Sequence, residues 1–176
     1  MTKITAGWET DLSILRLSGS SVTEFTDHIL VRSPHNPEYH WGNFILITSW
    51  DEGEDSERWL SLFETYFPEA NWLALGLPSF PSAPKSWEEH GLELERMEVL
   101  KAETLPSCPD LPHPYSSRAF REDDWNLLLK REIAENLKSG EHDPVSFEAF
   151  IRNSIETYKK LCDQGLASWF GAFFED

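Results

Sequence analysis

Four of the six histidines, His28, His35, His40 and His90, fall in the first hundred residues, and imidazole suits metal binding or proton transfer because it titrates near neutrality. His35 and His40 flank Asn36, Pro37, Glu38 and Tyr39. Their spacing fits neither a zinc-protease helix nor a deaminase pattern, so they read as turn and surface histidines, and no metal is expected. The most unusual run is Tyr39-His40-Trp41-Gly42-Asn43. An aromatic pair beside Gly-Asn can line a pocket for a small ligand, and Tyr39, His40, Trp41 and Asn43 are the candidate site residues. The same run can equally be a strand start with a bulge and core aromatics. Leu17-Ser18-Gly19-Ser20-Ser21 offers serine hydroxyls without the strand, elbow and helix that a nucleophile needs, and reads as a polar turn.

Acidic residues crowd the stretch Asp51, Glu52, Glu54, Asp55 and Glu57, which is a solvated loop or a surface for a cation. The whole chain of 176 residues carries a formal net charge of −16, which argues against nucleic acid or an anionic membrane as a partner. No basic patch interrupts it. The first residues lack an apolar leader and no apolar run is long enough to span a membrane, so a cytoplasmic location is expected. Cys108 and Cys162 match no metal motif, and a disulfide between them has little support. Trp59, Trp87 and Trp125 fall on helical apolar faces and are expected in cores; Trp8 and Trp50 have polar neighbours and suit a partner surface or packing between parts.

Elements must position these groups. Four prolines in residues 105–114 mark a linker between a first part, residues 1–104, and a second, residues 115–176. In the first part, residues 12–17 suggest a short strand, and residues 25–32 and 41–47 read as antiparallel strands joined through Ser33-Pro34-His35-Asn36-Pro37. Ser56 opens a helix whose apolar face holds Trp59, Leu60, Phe63, Tyr66 and Phe67, stopped by Pro68. A strand over 71–77, a helix over 82–90 and a half-exposed strand over 92–101 complete the order β-β-α-β-α-β. The second part reads β-α-α-β: a strand at 115–121, a helix from Glu122 with Trp125, Leu128, Leu129, Ile133 and Leu137 inward, a helix capped by Ser146, and a last strand after Gly165. That strand, Trp169-Phe170-Gly171-Ala172-Phe173-Phe174, is apolar enough to predict a place in the middle of a sheet. It runs straight to Asp176, so the sequence reads as interrupted there.

The second part, from Arg118-Ala119-Phe120-Arg121-Glu122-Asp123-Asp124-Trp125 through two helices to Trp169 and Asp176, resembles the opening of an acetyltransferase of the GNAT superfamily. The first part resembles the other half of that family: strand 41–47, helix 56–67, strand 71–77 and the run Pro84-Lys85-Ser86-Trp87-Glu88-Glu89-His90-Gly91-Leu92-Glu93. The resemblance implies an α+β fold in two parts, with a GNAT-like mixed, mainly antiparallel sheet flanked by helices. It also implies acetyl-CoA as cofactor and an amine as substrate.

Where the resemblance places the pyrophosphate of acetyl-CoA, at the start of the helix from Ser56, the sequence has Trp50-Asp51-Glu52-Gly53-Glu54-Asp55. A phosphate would meet four carboxylates there, each close pair costing on the order of 1 kcal/mol even at surface dielectric. The first part is therefore expected to be a degenerate copy and the second the start of another domain. Two functions stay open: an acetyltransferase-like protein, incomplete or inactive as this chain, or a noncatalytic module binding a small ligand or a protein. The complementary halves further suggest that the 169–174 strand completes the first part's sheet, within one chain or between two copies in a homo-oligomer.

Overall fold

The computed structural model describes residues 4–49, 55–104, 107 and 112–174. The chain forms two compact units, Met1–Leu100 and Lys101–Asp176. Helices and mainly antiparallel strands make both, an α+β fold.

The first unit opens with α1 (Ala6–Leu17), where a strand was expected. The Thr5 side chain caps it by accepting from the backbone N–H of Trp8. Trp8, Leu12 and Leu15 recur at four and three residues and face the core, whereas Ile14 and Leu17 are exposed. Those two outward residues blur the helical period into something that looks like a strand. β1 (Ser21–Glu24) is a strand the sequence pattern did not reveal; it pairs antiparallel with β2 (His28–Arg32). Phe25, Thr26 and Asp27, expected inside β2, form the turn between them, with the Phe25 N–H donating to the His28 carbonyl.

β2 pairs antiparallel with β3 (Phe44–Ile47), as the sequence predicts, while residues 40–42 form a 3-10 turn ahead of it. α2 (Ser56–Tyr66) follows, then β4 (Leu75–Gly76), parallel to β3. Strand order among the described residues is β1-β2-β3-β4. Ile29, Val31, Phe44 and Leu46 meet α1 on one face; Leu30, Ile45 and Ile47 meet Trp59 and Phe63 of α2 on the other. Covered on both sides, β2 and β3 are almost continuously apolar rather than alternating.

Three expected elements shrink or vanish. Of the 71–77 strand only Leu75 and Gly76 pair; of the 82–90 helix only α3 (Lys85–Glu88) forms. Residues 92–101 form no strand. Leu92 and Leu94 do turn inward against the core, so the alternation was real, but Met97, Val99 and Leu100 are exposed and no ladder forms. Alternation reports a buried face; it does not supply a hydrogen-bonding neighbour.

The second unit runs β5 (Tyr115–Ala119), α4 (Glu122–Ser139), α5 (Pro144–Asp163) and β6 (Phe170–Phe174). Asp124 caps α4 through the Arg121 N–H, and Arg118 grips the same carboxylate at 2.6 Å while lying 3.6 Å over the Phe173 ring. The cap of α5 is Asp143, whose carboxylate accepts from the Val145 and Ser146 N–H groups, rather than Ser146 itself. Trp125, Ile151 and Ile155 form the core between α4 and α5; Leu137, expected there, is exposed in the last turn of α4.

β6 is not the middle of a sheet. Among the described residues it pairs antiparallel with β5 alone, in a sheet of two strands. Gly171 and Phe173 turn inward while Phe170 and Phe174 are 66% and 60% exposed. Its apolar composition hid a period of two, because the outward residues are aromatic as well.

Candidate functional site

The run around Asn43 is a closed loop clamp. Asn43 Oδ1 accepts from the Ser33 N–H at 2.8 Å, and its amide nitrogen donates to the carbonyls of Asn36 at 3.0 Å and Tyr39 at 2.9 Å. The Ser33 hydroxyl donates to the Gly42 carbonyl at 2.7 Å. Gly42 is required by space: a Cβ would overlap the Tyr39 ring and Ser33 Oγ. Asn43 is thus committed to shaping the 33–43 turn. Tyr39 packs against the α1 core, and His40 stacks on Trp72 with ring centroids 4.4 Å apart. Trp41, 47% exposed, sits 5.9 Å from Phe44 and borders a groove.

That groove, about 1130 Å³, lies wholly within the first unit. Its walls are the outer half of α2, the residues leading into β4, and residues 87–94. Phe63, Phe67 and Trp72 pack on one another, with centroids 4.8 Å apart for Phe63 and Phe67 and 5.4 Å for Phe63 and Trp72; Phe63 is buried, and Phe67 and Trp72 are half-buried. Glu64, His90 and Glu93 supply charge or polarity at its rim. Trp87, part of the same lining, is buried, and among the described residues its indole N–H has no acceptor. The helical spacing of Phe63 and Phe67 is legible in sequence; their meeting with Trp72 and Glu93 is not.

A second cluster escaped the sequence reading apart from its histidine. His28, 5% exposed, is held through Nδ1 by Asp27 Oδ1 at 2.7 Å and through Nε2 by the Tyr66 hydroxyl at 3.3 Å. Arg58 on α2 forms an ion pair with the other oxygen of Asp27. Facing a carboxylate, Nδ1 donates its proton to Asp27. Burial pushes the Asp27 carboxyl up, but hydrogen bonds from His28 and Arg58 outweigh it and hold the group below the usual carboxylate range. The Asp27 carbonyl also accepts the N–H groups of Thr48 and Ser49. One residue therefore fastens the end of β3 and the first turn of α2. Phe25 stacks on the imidazole at 4.4 Å and Trp59 meets it edge-on, so the ring is sealed among aromatics. A carboxylate, imidazole and phenol in series can pass a proton, but here each is occupied in tying β2 to α2.

The remaining sequence candidates fall in plain places. Ser18 ends α1, and Ser20 shares a buried hydroxyl contact with Ser33 at 2.7 Å. Trp8 packs inside its own unit, 5.7 Å from Phe44, while Trp59, Trp87 and Trp125 are buried as expected. Cys162 is a free thiol; Cys108, Trp50 and residues 51–54 of the acidic run lie outside the described residues. Among the described residues there is no group of three or more His, Cys, Asp or Glu able to hold a metal, and no helix long and apolar enough to cross a membrane.

No protein-family model, curated protein or solved structure matches this chain. Geometry and chemistry alone must carry the functional reading.

Proposed function

We propose that the first unit is a GNAT-like domain acting as a noncatalytic small-molecule-binding module. The observation that carries this reading is the start of α2. In the resemblance, that helix N-terminus receives the cofactor's pyrophosphate; here the Asp55 carboxylate accepts the Arg58 N–H at 3.1 Å, and the Arg58 guanidinium is turned to Asp27. A protein carboxylate already uses the positive end of the helix, and it would repel a phosphate. The groove offers a separate, aromatic volume of ligand size. The formal charge of −16 supports a ligand other than nucleic acid.

A second reading, transfer of an acetyl group from acetyl-CoA to an amine, is favoured by one feature: β3 and β4 are parallel neighbours joined through α2, in the order the resemblance implies. Thermal unfolding with acetyl-CoA separates the two. A ligand at about a hundred times its dissociation constant adds roughly 2.7 kcal/mol to a protein that binds it only when folded. The binding-module reading expects no shift in midpoint at millimolar cofactor. A saturable rise would transfer support to the acetyltransferase.

Pairing between copies through β6 is also proposed, supported by its having one strand partner among the described residues and by the exposed rings of Phe170 and Phe174.

A further inference from the structure

We propose that β6 pairs with β6 of a second copy, antiparallel about a two-fold axis at Ala172, so that two sheets of two strands become one of four; the proposal rests on the reading of pairing between copies and fixes its register. The phase of the β5–β6 ladder carries it. The Phe120 N–H donates to the Trp169 carbonyl at 2.9 Å, which makes Phe120 and Trp169 a hydrogen-bonded pair. Bonded and non-bonded pairs alternate along an antiparallel ladder, so the pairs Arg118 with Gly171 and Ser116 with Phe173 are bonded in the same way. Gly171 and Phe173 therefore turn their backbone groups to β5. Phe170, Ala172 and Phe174 turn theirs to the other edge, where no strand lies among the described residues.

A two-fold register about Ala172 pairs Ala172 with Ala172 of the second copy, and Phe170 with Phe174 of the second copy. These are the residues whose backbone groups face outward, so each edge satisfies the other and none of those groups is left over. On the exposed face Phe170 and Phe174, 66% and 60% exposed, become cross-strand neighbours, and Tyr115, 5.4 Å from Phe174, extends the aromatic row. β6 holds neither a charge nor a proline, the devices that usually keep an edge unpaired, so two copies of formal charge −16 meet along a neutral strand. The antiparallel sense also holds apart the carboxylates of Glu175 and Asp176, which follow β6 in the sequence; a parallel pair would set them side by side.

The test uses the full chain with Cys108→Ser and Cys162→Ala as background. Sedimentation should show a monomer–dimer equilibrium between micromolar and millimolar chain. Ala172→Cys places an exposed thiol at the axis, where Cα atoms of a bonded pair lie about 5.5 Å apart, and a thiol crosslinker with a two-carbon spacer should join two copies. Ser168→Cys, also exposed, is offset from its counterpart by eight residues, roughly 27 Å, and should not be joined. Ala172→Pro removes an N–H that points to the free edge, so it spares the β5–β6 ladder and should give a folded monomer. A chain that stays monomeric, or a dimer in which the Phe170, Ala172 and Phe174 amides gain no protection from hydrogen exchange, overturns pairing through β6 altogether. A dimer that protects those amides but leaves Ala172→Cys unjoined, joins Ser168→Cys, or survives in folded Ala172→Pro overturns the register alone.

Discussion

Replacing Asp27 with asparagine should weaken the first unit strongly at neutral pH and hardly at all in acid. In the wild-type chain the carboxylate accepts from His28 Nδ1 at 2.7 Å and pairs with Arg58. The amide keeps the shape but offers one acceptor oxygen and one NH2 donor, so one of two donors faces another donor. His28 is 5% exposed and cannot turn to water for a substitute. Charge-assisted hydrogen bonds are each worth about 1.5–3 kcal/mol, and with Arg58 partly exposed the expected loss is about 2–3 kcal/mol in all. For a unit near a hundred residues each kcal/mol moves the midpoint by roughly 4–8 °C.

The pH dependence follows from the direction of the Asp27 shift. Its folded carboxyl titrates below the ordinary value, so its stabilisation is fully present above the unfolded value of about 3.9 and is lost as pH falls through the folded value. The part of the difference between Asp27→Asn and wild type that Asp27 supplies should therefore be fully present above the unfolded value and shrink as pH falls below it. Urea unfolding read by tryptophan fluorescence, with Trp59 against the His28 ring as a local reporter, measures it across that range. A difference under about 0.5 kcal/mol at neutral pH, or one that does not change on acidification, would refute the reasoning.

Asn43→Ala removes the acceptor of the Ser33 N–H and one of the donors to each of the Asn36 and Tyr39 carbonyls, and should cost about 1–3 kcal/mol in chemical unfolding. Gly171→Ala places a Cβ 2.9 Å from the Phe120 and Phe173 rings, so it should destabilise the second unit by about 1–3 kcal/mol and expose β6 amides to hydrogen exchange. Tyr66→Phe removes only the longer contact to His28, at 3.3 Å, and should cost about 1 kcal/mol or less by the same urea measurement. Phe170→Ser with Phe174→Ser should leave the unfolding midpoint within a few degrees and abolish any dimer seen by light scattering; a dimer that persists removes β6 from the interface.

The elements that were legible were those in which one period dominates. Trp59 and Phe63 on α2, and Trp125, Leu128 and Leu129 on α4, turn a helical stripe inward, while the unbroken Ile29-Leu30-Val31 and Phe44-Ile45-Leu46-Ile47 runs mark strands covered on both faces. α1 was misread because Ile14 and Leu17 put apolar side chains in water, and β1 was missed because Ser21, Thr23 and Glu24 bury almost nothing. Of the candidate pocket, the Gly42-Asn43 pair did mark a tight place, but the tightness serves the turn.

The two polar centres of the first unit were hidden for a common reason. Asp27 and His28 are neighbours in sequence, yet their meaning depends on Arg58 and Tyr66, brought over by a helix that must pack its Trp59 and Phe63 face on the sheet. The groove depends on the same packing: once that face is fixed, Phe67 and Glu64 follow on the adjoining side of α2, where the approach to β4 supplies Trp72. Apolar packing thus decides which polar groups meet. It assigns Asp27, His28 and Arg58 to holding the helix against the sheet.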